Sequence, residues 1–281
     1  MSAPSCTLRA VDLTIELGSR PLLMGVLDPA PVEAPGGGGP RARLDAQVER
    51  AAELLREGAD ILDLGEGLAT EGLATEGLVA LLERTAGELG AVVCVDVREP
   101  SEARAAVAAG ARIVNDASGL LEPGVAEVCA QSGAALVLGP ALARARGIPR
   151  EPDRGRAPLA LLRGHLATAL ASGMRPEQLI LAPAETIALE RLHELGRPLL
   201  IAVSRPQGTG EPAGGAGPGR LARMLAALAD GVEGGAHIFR VHDVAAAADF
   251  LTVRAALAGE LEPSRDLALD AENRYDRLVS D

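Results

Sequence analysis

Short aliphatic runs alternate with longer amphipathic ones along most of the chain. Residues 22–27 are continuously apolar, as a strand buried on both faces would be. Residues 44–58 then place apolar positions at helical spacing and close on Gly58. Strand-like runs recur at 60–64, 91–95, 112–115, 134–138, 178–181, 198–203 and 237–241. Each is followed by a helix-like run, at 78–89, 100–109, 125–131, 157–172, 186–195, 220–233 and 244–258. Pro100 opens one of these helices and Gly110 follows its end, the usual asymmetry of helix termini.

Strands separated by helices pair in parallel through right-handed crossovers. Eight such units in roughly 240 residues predict an α/β protein with a single (β/α)8 barrel, a TIM barrel, rather than a doubly wound sheet. No linker interrupts the pattern, so one domain over 1–281 is expected. Residues 1–20 read as an N-terminal hairpin covering the barrel bottom, and 260–281 as an acidic surface tail. In a barrel, chemistry gathers at the carboxyl ends of the strands. Those ends carry Asp28, Gly65 and Glu66, Asp96, Asn115 and Asp116, Gly139, Ala182, Ser204 and Arg205, and Arg240, His242 and Asp243.

Composition narrows the function. Hydrophobic residues are 48% of the chain, enough for a large core. Aromatics are 1% and the formal net charge is −12, which disfavours base-stacking platforms, phosphate backbones and anionic membranes. All 27 basic residues are Arg, so Schiff-base chemistry and a P-loop lysine are excluded. Cys6, Cys94 and Cys129 form neither a disulfide framework nor a zinc spacing. No signal pattern and no apolar run of about 18 residues stands out, so a soluble cytoplasmic protein is expected.

Five segments resemble the dihydropteroate synthase family. MGVLD (24–28) is similar to its first-strand motif, and GADILDLGEG (58–67) to its second-strand Asp-x-Gly-Gly-Glu-Ser. VDVREPSEARAAVAAGARIVNDASG (95–119) resembles the stretch joining the third and fourth strands. PLLIAVSR (198–205) and GAHIFRVHDV (235–244) resemble the seventh and eighth. The resemblance implies a homodimeric barrel of folate biosynthesis that joins 7,8-dihydropterin-6-ylmethyl diphosphate to p-aminobenzoate, with Mg²⁺ assisting departure of diphosphate. It implies that Asp96 and Asn115 hold the pterin, and that Arg240 and His242 hold the leaving diphosphate. It also implies that Ser204 and Arg205 lie near p-aminobenzoate and that Asp28 is a candidate Mg²⁺ ligand.

The departures weigh against turnover. The family's first-strand Asn is Asp28, and its Thr-Pro-Asp-Ser-Phe loop is PAPVEAPGGGG (29–39). LATEG (68–72) replaces Ser-Thr-Arg-Pro-Gly, so the Thr-Arg pair aligns with Ala69 and Thr70. EGLAT occurs at 66–70 and again at 71–75, a duplication that a loop fitted to one substrate does not tolerate. The second pterin carboxylate is Ala182, with Glu185 three residues on. The seventh-strand Lys is Pro206, and the fifth-strand Met-His is Gly139-Pro140. No residue is assigned as catalytic. Three readings remain open at this point: a non-catalytic paralogue or partner subunit of an active synthase, a working divergent synthase, and a barrel enzyme for another phosphorylated ligand.

Overall fold

The computed structural model describes residues 3–28, 39–65, 75–120, 123–139, 157–183, 189–203 and 218–261. The chain divides into two compact units, Met1–Ala248 and Asp249–Asp281, and the barrel lies in the first. Strands β1 (Cys6–Ala10) and β2 (Leu13–Leu17) form an antiparallel pair at the start of the chain. The barrel strands are β3 (Leu22–Val26), β4 (Ile61–Leu64), β5 (Val92–Val97), β6 (Ile113–Asp116), β7 (Ala135–Leu138), β8 (Leu179–Leu181), β9 (Leu200–Ala202) and β10 (Ile238–Val241). All are parallel, in the order β8-β7-β6-β5-β4-β3-β10-β9. A parallel bridge from Leu181 to Leu199 brings the two edges together, which makes the sheet a (β/α)8 barrel.

Helices α1 (Pro40–Arg56), α2 (Thr75–Gly87), α3 (Pro100–Ala108), α4 (Gly124–Ser132), α5 (Ala157–Ala171), α6 (Leu189–Leu192), α7 (Pro218–Glu233) and α8 (Val244–Leu257) follow the strands in turn. Local chemistry fixes their ends. Glu102 in the first turn of α3 accepts from the backbone N–H groups of Arg98 at 2.7 Å and Glu99 at 3.3 Å. Gly133, at φ 82°, stops α4 in the left-handed region. The helix expected over 186–195 is shorter in its described part. One α turn at Leu189–Leu192 passes into a 3₁₀ turn, His193–Leu195, which Gly196 ends at φ 62°. Residues 186–188 lie outside the described residues.

Strand alternation builds two layers of core. Leu22, Met24, Ile61, Cys94, Ile113, Ala135, Val137, Ile180, Leu200 and Ile238 pack together inside the barrel. Leu8, Ala10 and Leu17 of the hairpin join this cluster and close its amino-terminal end. The intervening residues face the helices. A Cβ on Gly25 would stand 2.9 Å from Val244 Cγ2, and one on Gly231 of α7 would overlap the Phe239 ring.

Several contacts tie the amino-terminal segment to the barrel, among them the Arg112–Asp12 ion pair at 2.9 Å. Val11 N–H donates to the Gly133 carbonyl at 2.7 Å. The ring of His237, 1% exposed, accepts from Leu199 N–H at Nδ1 (3.1 Å) and so carries its proton on Nε2, which donates to the Pro4 carbonyl at 2.9 Å. Burial pushes the His237 pKa below its ordinary 6.5.

Two outcomes follow. The unfolded chain protonates His237 more readily than the fold does, so stability present above about pH 6.5 is lost as the pH falls. In urea unfolding from pH 8 to pH 5, the stability of wild type relative to His237→Gln should fall, which separates this loss from other titrating groups. Gly231→Ala overpacks the Phe239 site and should destabilise by about 1–3 kcal/mol in the same assay.

Candidate functional site

The inward positions of the strands turn polar one step above the core. Ile61 gives way to Asp63, Cys94 to Asp96, Ile113 to Asn115 and Ile238 to Arg240, all on the same faces of their strands. Asp63 is 1% exposed. Its Oδ2 accepts a hydrogen bond from Arg240 Nε at 2.6 Å and lies 2.5 Å from Nη2 in the same ion pair. This joins β4 to β10 across β3. Asp96 and Asn115 are register partners on β5 and β6, and Asn115 Nδ2 donates to Asp96 Oδ1 at 2.6 Å. A Cβ on Gly65 would stand 3.1 Å from Arg240 Nη2, 3.7 Å from Asp63 Oδ2 and 3.8 Å from Asp96 Oδ2. The three side chains therefore meet at one point, and the missing side chain of Gly65 leaves them room.

The electrostatics follow from burial. Burial pushes the Asp63 carboxyl up to about 6; the Arg240 guanidinium opposes the rise and Asp96 adds to it. Burial works against the Arg240 charge, but Asp63 and Asp96 outweigh it and hold its pKa above the ordinary value. Beneath them, burial and then the two carboxylates push the Cys94 thiol well up, which keeps it an uncharged filler. Asp63 Oδ1 is buried without a hydrogen-bond partner.

A second pair flanks the first. His242 Nδ1 lies 2.8 Å from Asp28 Oδ2, and because an ionised carboxylate can only accept, the ring N–H donates. That bond, against some burial, holds the Asp28 pKa below the carboxylate norm, and Arg220 and Arg240 lower it further. Gln47 Nε2 donates to the Asp28 carbonyl at 3.2 Å and fixes the chain as it leaves β3. The Asp28 side chain is 63% exposed. A hard, exposed carboxylate suits Mg²⁺, which ordinarily takes one or two carboxylates and completes its shell with ligand phosphates and water. No group of three or more His, Cys, Asp or Glu among the described residues could hold a metal without such a ligand.

Among the described residues, β7 and β8 lead into Gly139 and Ala182, which lie close together and bring no polar side chain of their own to the mouth. Asp116 is structural: its carboxylate accepts from the N–H groups of Ser118 at 2.8 Å and Leu120 at 3.0 Å and builds the turn after β6. Asp243 likewise accepts from Ala246 N–H at 3.2 Å at the start of α8. Ser204, Arg205, Glu185, the EGLAT repeat through 74 and loop positions 29–38 lie outside the described residues.

Of the residues expected from sequence, Asp96, Asn115 and Arg240 are brought together, and Asp28 and His242 form the neighbouring pair. Asp63 is the residue that sequence reasoning passed over, because ILDL reads as a strand. A carboxylate inside an apolar strand needs a buried partner, and Arg240 inside IFRV is its counterpart.

The chain is similar over most of its length to proteins of one family. The family described as "Pterin binding enzyme" matches residues 24–242. A dihydropteroate synthase of Neisseria meningitidis serogroup B is 32% identical over 271 residues, covering 86% of this chain and 95% of that one. An inactive dihydropteroate synthase 2 of Mycobacterium tuberculosis is 31% identical over 279 residues, covering 88% and 86%. Among solved structures, a Xanthomonas albilineans dihydropteroate synthase in complex with 7,8-dihydropteroate superposes with a TM-score of 0.76 at 29% identity, covering 92% of this chain and all of that one.

Removing one half of the buried pair should be severe. Arg240→Met leaves Asp63 without its cation and should destabilise by about 3–5 kcal/mol at pH 8. The loss should shrink towards pH 5, where Asp63 takes up a proton. Because its folded pKa is raised to about 6, Asp63 contributes stability in acid that is lost as the pH rises through that value. Urea titrations of wild type, Arg240→Met and Asp63→Asn across this range check the magnitude and the sign.

Proposed function

The chain belongs to the pterin-binding enzyme family of the dihydropteroate synthases, and from that footing we propose that it binds a pterin as a paralogue with weak or no turnover. The observation that carries this reading is that, among the described residues, the polar side chains inside the mouth gather at the ends of β4, β5, β6 and β10. Asp63, Asp96, Asn115 and Arg240 surround Gly65 on one side, while Gly139 and Ala182 end the strands on the other. A pterin edge presents both donors and acceptors, which an aspartate beside an asparagine amide complements, and a planar guanidinium can flank the ring.

Turnover requires more than holding the ring. Displacing diphosphate from the pterin methylene places negative charge on the leaving group, which cations must stabilise. Here Arg240 is bonded to Asp63 and His242 to Asp28. Mg²⁺, when bound at Asp28, supplies neutralisation of leaving-group charge. Ala182 offers no second carboxylate to the pterin, and Pro206 offers no cation beside Arg205.

In this reading the protein is a cytoplasmic homodimer, or the partner of an active paralogue, in folate biosynthesis. No helix among the described residues is long and apolar enough to cross a membrane. A working synthase is the second reading, and the exposed Asp28 carboxylate favours it as a magnesium ligand.

Complementation of a strain lacking its own synthase separates the two. The chain should fail to restore growth. In a purified assay with Mg²⁺, kcat/KM should lie roughly a thousandfold or more below that of an active synthase, as expected when several transition-state contacts are lost together. Growth, or kcat/KM within tenfold of an active synthase, would favour the working enzyme.

A further inference from the structure

The charges at the mouth are arranged against a free anion. Among the described residues, the carboxylates of Asp28, Asp63 and Asp96 face the guanidiniums of Arg240 and Arg220 and the imidazole of His242. The pairing matters more than the sum. Arg240 commits Nε and Nη2 to one oxygen of Asp63, and His242 commits Nδ1 to Asp28. Both cationic side chains at the end of β10 are thus already engaged by carboxylates of this chain. The acceptors open to a ligand are the Asp28 carboxylate, 63% exposed, and the half-buried Asp96 carboxylate beside Gly65.

We propose that this mouth selects an uncharged, donor-rich heterocycle, a pterin carrying no phosphate, over any free polyanion, and that Asp28 sets the preference. The inference rests on the pterin-binding reading and narrows it. Asp63 is buried at 1% exposure and cannot turn away, whereas the Asp28 side chain at 63% exposure stands where a ligand enters. Asp28 acts twice against an anion: it repels the incoming charge, and it occupies the His242 donor. Both effects are local. At physiological salt the screening length is about 8 Å, so the net −12 of the chain matters less than the charges lining the mouth. A divalent cation reverses the role of Asp28, because the carboxylate and phosphate oxygens can then share one metal. Diphosphate therefore enters as its magnesium complex and not alone.

Isothermal titration of the full chain tests this with two probes, 6-hydroxymethylpterin and inorganic diphosphate, each in EDTA and in Mg²⁺. Wild type is compared with Asp28→Asn and with Glu49→Gln, which removes an exposed charge on α1. Wild type should bind the pterin. In EDTA, Asp28→Asn should bind diphosphate about tenfold or more tighter than wild type or Glu49→Gln, as expected for removal of one charge close to a polyanion. Mg²⁺ should raise the wild-type affinity for diphosphate and close the gap. Thermal unfolding verifies that the variants are folded. Equal affinity of wild type and Asp28→Asn for metal-free diphosphate, or no diphosphate binding by Asp28→Asn, overturns the role of Asp28. Loss of pterin binding with the diphosphate contrast intact overturns the pterin-binding reading and leaves the anion discrimination standing.

Discussion

A carboxylate buried at the top of a parallel barrel constrains everything around it. Asp63 lies 1% exposed in a strand whose other residues are apolar, and an unpaired charge there would be strongly destabilising. Arg240 answers it from two strands away with Nε and Nη2 both against one oxygen. That contact fixes the guanidinium plane. It crowds position 65, since a Cβ there would stand only 3.1 Å from Arg240 Nη2. It also places a polar ring of β10, β4, β5 and β6 directly above the hydrophobic filling of the barrel. The hairpin closes the opposite end, so the opening to the ligand is at the carboxyl ends of the strands.

Much of this was legible in the sequence for a physical reason. Parallel strands covered on both faces appear as unbroken aliphatic runs, and their helices carry the 3.6-residue period. Those two signals place the strands and most of the helices. The region after β8 was less legible, because a helical period over 186–195 does not reveal a 3₁₀ turn ending on left-handed Gly196. At the site, Asp96, Asn115, Arg240 and His242 stand at strand ends where polar residues draw attention. Asp63 holds the same penultimate position in its strand as Asp96, Asn115 and Arg240 do in theirs, but the aliphatic residues on both sides of it hide it. Only its pairing with Arg240, which depends on barrel closure, shows what it does.

The placement of the polar side chains at the mouth bears on function more than the family does. Synthases and an inactive synthase 2 are about equally similar to this chain, at 32% and 31% identity. Chemistry lives in the site rather than in the fold. Here the residues able to read a heterocycle gather around Gly65, partly buried, whereas the two described cations of β10's end, Arg240 and His242, are each held by a carboxylate. Retention of the first with neutralisation of the second is what the proposed reading, a pterin-binding paralogue with weak or no turnover, rests on.

The central claim is that the Asp63–Arg240 pair organises the pterin slot as a unit. A double-mutant cycle on pterin affinity, with Asp63→Asn, Arg240→Met and the double variant, measures this directly. The account predicts a coupling of about 1.4 kcal/mol or more, a tenfold departure from independence. Single-variant effects that add within roughly 0.5 kcal/mol would contradict it.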